Sequence, residues 1–121
     1  MIKKLVLLVP SGEDKPQLVY LSDDWKTMAA IIGCDYVERV RTPFNNLVFY
    51  CDEEFLLKEP LPDPNQVSYV LYPGPVYGNV LLCKEDWQGE IDNLDLATMK
   101  RLCRLLGYDN QDLFIPEEEN Q

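Results

Sequence analysis

No histidine occurs anywhere in the 121 residues. That absence removes the commonest general base, the commonest metal ligand and the usual switch near neutral pH. Cysteine is present but never in close pairs. The nearest two of the four, Cys34 and Cys51, stand 17 positions apart, so there is no Cys-x-x-Cys unit for zinc or redox chemistry. Basic residues are scarce. Eleven Lys and Arg face 21 Asp and Glu, a net charge of -10. Nucleic-acid affinity is mostly phosphate neutralisation by Lys and Arg, and an acidic surface repels anionic membrane equally. Neither nucleic acid nor membrane is therefore an expected partner. No GxGxxG or GxxxxGK[ST] cradle for phosphate is present.

Long hydrophobic runs are missing too. The apolar stretch Leu5–Val9 is five residues long and runs into Pro10 and the acidic Glu13-Asp14. It is too short to span a membrane and lacks the small-residue site of a signal peptide. Each cysteine sits within or beside an apolar segment, where a free thiol behaves as a small hydrophobe. Reduced thiols in a cytoplasmic chain are the expectation.

What remains is ordinary globular material, 46% hydrophobic and 11% aromatic. Residues 1–116 read as one α+β domain, and 117–121, Glu-Glu-Glu-Asn-Gln, as an acidic flexible tail. Residues 2–9 suit a strand buried on both faces, and 17–21 its hairpin return. Ser22 or Asp23 can cap a helix whose stripe is Trp25, Met28, Ala29 and Ile32 and which ends at Gly33. That helix is expected to lay Trp25 and Ile32 on the sheet. Residues 35–42 are a charged strand near an edge, and 47–51 an inner one.

Five prolines between 60 and 75 forbid a long element there, leaving only 67–71 for a short one. Residues 76–83 read as a strand with a bulge at Gly78-Asn79, and 84–93 as an acidic connection. The final helix is capped by Asp95 and Gly107, with Leu96, Met99, Cys103 and Leu106 on its core face and Leu102 beside them. The predicted architecture is a mixed, mostly antiparallel sheet of about five strands with two helices packed on it. The helix crossover leaves room for one parallel pair.

Several segments resemble a known family. Gly33-Cys34-Asp35-Tyr36-Val37-Glu38-Arg39-Val40 is similar to its helix-ending glycine and "YIEVV"-like strand. Leu47 to Glu54 resembles "VLVCNEEG", Leu57 to Pro64 resembles "LKGLPxN", and Val76 to Leu82 resembles "IxGxxLI". This is domain-of-unknown-function family 3846, met in phages, plasmids, bacteria and large algal viruses. Phe55 departs from the family's usual glycine, and the segment from Tyr108 extends past its pattern. The resemblance implies an α+β fold and a viral or mobile-element setting, and no reaction.

The only material for acid–base catalysis is paired carboxylates: Asp23/Asp24, Asp52/Glu53/Glu54, Glu85/Asp86 and Glu90/Asp92. All fall in predicted turns or at a helix start, where water keeps them ordinary. Asp86 to Asp92 has pieces of a calcium loop in the wrong order. A nucleophilic Cys would lack its His. No catalytic residue, cofactor or metal is expected.

The aromatic and proline-rich stretch 69–87 is the candidate site, a protein-binding face anchored by Tyr72, Tyr77 and Trp87. Aromatics near turns are favoured interface anchors, and neighbouring Glu85 and Asp86 would steer a basic partner. Three functions stand open at this point. The first is a non-enzymatic interaction protein of a virus or mobile element. The second is an acidic decoy whose carboxylates mimic nucleic-acid phosphates to inhibit a host protein. The third is an enzyme of unknown chemistry.

Overall fold

A computed structural model describes residues 3–12, 15–22, 24–71 and 74–108, with Ser68 and Tyr69 as backbone alone. The chain runs through β1 (Lys3–Val9), β2 (Gln17–Ser22), α1 (Trp25–Ile32), β3 (Val37–Arg41) and β4 (Leu47–Asp52). A 3-10 turn at Phe55–Leu57 follows, then α2 (Val67–Val70), β5 (Val80–Glu85), β6 (Ile91–Asp92) and α3 (Leu96–Leu106). The strand order is β2-β1-β5-β4-β3, with β6 pairing the far end of β5. Every described pairing is antiparallel. The parallel pair for which the helix crossover left room does not form among the described residues, because α1 carries the chain from one edge of the sheet to the other.

Period-two alternation along the inner strands sorts their side chains into two cores. Leu5, Leu7, Phe49 and Leu82 point to one face, where Val67 and Leu71 from α2 and its end and Leu102 from α3 cover them. Val6, Val48, Leu81 and Cys83 point to the other, under Met28 and Ile32 of α1. The molecule is thus an α+β sandwich of three layers with β5 at its centre. β1 is buried on both faces, as its unbroken apolar run requires, and the charged β3 takes an edge.

Four local expectations change. The α1 cap is Asp24, whose Oδ1 accepts from Lys26 N at 2.9 Å and whose Oδ2 accepts from Thr27 Oγ1 at 3.0 Å. Trp25, the first helical residue, is 54% exposed, not laid on the sheet; the Lys26 ammonium stands 5.9 Å from its ring centre. In α3 the caps are Asp95 and Gly107 as read, but Leu96 is 60% exposed while Leu102 and Cys103 are buried. Leu96 overhangs the first turn, and the buried stripe centres one step further along. Finally, the strand read at 76–83 lies at Val80–Glu85, because residues 76–79 are held in a loop. The tail 117–121 lies outside the described residues.

Candidate functional site

Tyr77 and Trp87, two of the three aromatics expected to form one face, are not brought together. Tyr72 lies outside the described residues, as does the side chain of Tyr69. Tyr77 and Trp87 flank opposite ends of β5, whose six residues span roughly 17 Å.

At the start of β5, Tyr77 is half-buried. Its ring centre lies 5.7 Å from that of Phe55, and its backbone forms a bridge with Pro64. Gly78, at a φ of +85°, turns the chain into β5 and donates to Asp63 O at 2.9 Å. Asn65 ties this loop to the sheet from a fully buried position. Its Nδ2 donates to Val9 O at 2.9 Å and to Gly78 O at 2.8 Å, and its Oδ1 accepts from Val67 N at 3.1 Å. These groups hold the prolines and aromatics in place, which is a packing task.

The other end of β5 is different. Asp86-Trp87-Gln88-Gly89 is a tight turn in which Gly89 N donates to Asp86 O at 3.0 Å and Asp86 N donates to Glu90 O at 2.8 Å. Asp at the first turn position and Gly at the fourth, here at a φ of +83°, are what a three-residue hairpin with a glycine bulge demands. The Asp86 carboxylate accepts from Gln88 N at 2.9 Å and Glu90 N at 3.0 Å. Asp86 therefore holds its own turn. That explains the residues which imitate a calcium loop. Trp87 stands on this fixed turn 89% exposed. An indole offers roughly 200 Å² of surface, so leaving it in water forgoes several kcal/mol of burial.

Beside Trp87 lies a groove of about 330 Å³. One wall is Trp87, Asp86 and Gly89; the other is Arg41 on β3 with Thr42, Asn45 and Asn46 of the next turn. Asn46 takes a left-handed conformation, φ +67°, and its carbonyl accepts from Glu85 N at 2.8 Å, which fixes the two walls to each other.

The floor holds a charge pair. Glu85 is 6% exposed, and Arg39 donates to it twice, Nε to Oε2 at 2.8 Å and Nη2 to Oε1. The hydrogen bond to Glu85 pushes the Arg39 guanidinium above its already high range. Sequence reasoning placed Glu85 in a solvated turn. It is the last residue of β5, paired beside β6 within the sheet, and its buried carboxylate needs its partner.

A second buried carboxylate, Asp52, also departs from the expected solvated turn. Lys58 Nζ lies 2.9 Å from its Oδ2, an approach that balances charge without an aligned hydrogen bond, and 3.2 Å from Gly33 O at the end of α1. Contact with Asp52 raises the Lys58 pKa. Burial, then the Asp52 charge, push up the pKa of neighbouring Cys34, and burial takes Cys51 to about 12. Protonated thiols beside a carboxylate are poor nucleophiles. Among the described residues, no cluster of three Cys, Asp or Glu side chains is placed to hold a metal ion, and no helix is long and apolar enough to cross a membrane.

A family model described as a domain of unknown function, DUF3846, matches residues 2–107. The chain belongs to the DUF3846 family. The resemblance read from the strand and turn motifs is borne out over nearly the whole fold. A comparison with curated proteins finds no match. Among solved structures, the fold is similar to part of the crystal structure of the small RNA methyltransferase HEN1. The TM-score is 0.63 and the identity 15%, and the match covers 84% of this chain. It spans only 16% of that protein's length, so the likeness is one of fold.

Proposed function

We propose that this DUF3846 protein is a small non-enzymatic binding module that engages a protein partner through the groove beside Trp87. One observation carries the reading. An indole 89% exposed is fixed on a hydrogen-bonded turn at the rim of a 330 Å³ groove. A preformed turn loses little entropy when a partner docks, and Trp is the side chain most enriched at interface hot spots. The net charge of -10 supports a partner with a basic surface, drawn in at long range, and disfavours nucleic acid. The four cysteines form no disulfide with one another, which suits action in a reducing cytoplasm. Family membership supports a virus or other mobile element as the setting. Both buried carboxylates are already engaged, Glu85 by Arg39 and Asp52 by Lys58, which argues against acid–base catalysis.

The decoy reading has weaker support. Exposed carboxylates fall at both ends of the sheet, Glu53 and Glu54 after β4 and Glu90 in the β5–β6 turn, and exposed Lys100, Arg101 and Arg104 line α3. A phosphate mimic needs one continuous acidic row.

Capture from host lysate with wild-type, Trp87→Ala and Tyr77→Ala baits tests the proposal. Trp87→Ala is expected to lose about 2 kcal/mol or more of partner affinity with its melting temperature unchanged, whereas Tyr77→Ala keeps the partner. Retention of the partner by Trp87→Ala at full affinity would overturn the reading.

A further inference from the structure

We propose that the groove selects a peptide segment of mixed charge, with a cationic side chain against Trp87 and Asp86 and a carboxylate two residues away against Arg41. The inference rests on the binding-module reading and names what that site recognises.

The two walls differ in chemistry. On the hairpin wall, the open face of Trp87 sits next to the Asp86 carboxylate, and Glu90 follows exposed. An indole face flanked by carboxylates attracts Arg or Lys through its quadrupole and through charge. On the opposite wall Arg41 is exposed, and among the described residues it makes no hydrogen bond or ion pair. A free guanidinium fork matches a carboxylate in two parallel hydrogen bonds. The floor adds no net charge, because Arg39 and Glu85 satisfy each other. A purely basic segment would leave Arg41 facing like charge. A purely acidic one would face Asp86 and a molecule of charge -10. Only a segment carrying both signs matches both walls.

The geometry also sets the spacing. Arg41 lies on β3 and Asp86 follows β5, with β4 between them. Arg41 pairs with Val48 and Val48 with Cys83, so Asp86 stands two strand spacings across and three residues along from Arg41, roughly 14 Å away. In an extended peptide, residues i and i+2 share one face and their Cα atoms lie about 7 Å apart, and the reach of the two side chains covers the remainder. Adjacent residues point to opposite faces and cannot engage both walls.

The test uses the full chain carrying Trp25→Phe, so that Trp87 is the sole indole of the two in the sequence. End-capped peptides are titrated against Trp87 fluorescence. The set contains Arg-x-Glu and Glu-x-Arg, the adjacent Arg-Glu, and Arg-x-Gln and Gln-x-Glu; adenosine monophosphate and inorganic phosphate are further arms. Arg-x-Glu in at least one chain direction is expected to bind about fivefold tighter than the adjacent or singly charged peptides. Arg41→Gln should erase the advantage of Glu over Gln in the peptide while leaving the Arg contribution intact. Equal binding of every Arg-containing peptide, no response to any peptide, or tighter binding of the nucleotide or phosphate would each overturn the inference. Failure here leaves the binding-module reading to be decided by Trp87→Ala in lysate capture. Loss of that result removes both.

Discussion

The two ends of β5 carry similar side chains and use them in opposite ways. At its start, Tyr77 packs on Phe55 under a loop that Asn65 stitches to the sheet. At its end, Trp87 stands in water on a turn held by Asp86. Both are aromatics next to a glycine turn, and local sequence treats them alike. The difference comes from what else passes nearby. Residues 55–71 and 74–78 fold back over the first end. At the second the return is immediate, and among the described residues no further segment crosses it. Whether a turn aromatic is core or anchor is decided by the length of chain available to cover it. The contrast is not complete, since Leu56 and Leu57 on the outer side of the 3-10 turn are also exposed.

If the closed end is held by its polar hub, Asn65→Ala should have the largest effect. It strands the Val9 and Gly78 carbonyls and the Val67 N–H in a buried site. We expect a loss of about 3 kcal/mol, read from the urea midpoint at constant slope. An unchanged midpoint would break the comparison at its root.

Arg39→Ala should follow, at about 2 kcal/mol. Removing one partner of a buried pair costs more, but Arg39 keeps 37% of its side chain exposed, so water supplies part of the compensation. The double change Arg39→Leu with Glu85→Leu should recover much of the loss. A cost for the double equal to the sum of Arg39→Leu alone and Glu85→Leu alone would show that the floor of the groove is not a coupled pair.

Tyr77→Ala should destabilise by about 1.5 kcal/mol through lost packing on Phe55. Trp87→Ala should stay within about 0.5 kcal/mol, as surface changes do. Equal effects from the two aromatics in a thermal melt would erase the distinction between the two ends of β5.

Asp95→Ala probes a helix end remote from both regions and should cost about 1 kcal/mol as a lost N-cap. Its carboxyl is held below the usual range, first by its hydrogen bond with Thr98. A carboxyl with a lowered folded pKa stabilises fully above its unfolded value, about 3.9, and the contribution fades as pH falls through the folded value. The gap between wild type and the variant should therefore persist at neutral pH and narrow in acid. A gap that widens on acidification would reverse the assignment.

The sequence alone determined the α+β class, the two-faced burial of β1, the edge position of β3 and the caps Asp95 and Gly107. Those features rest on period-two and period-3.6 patterning and on residues whose backbone preferences are local. The Asp86 to Gly89 turn was legible by the same logic, because Asp and Gly at those positions are a hairpin signature; it was missed because β5 was placed too early. Tertiary structure alone decided the rest. It put Glu85 in a paired strand end beside β6 with Arg39, a residue 46 positions away, as its partner. It buried Asp52 beside Lys58 and separated Tyr77 from Trp87 by the length of a strand. Burial and charge pairing are set by which strands become neighbours. That depends on contacts far apart in the chain, and no local pattern of residues encodes it.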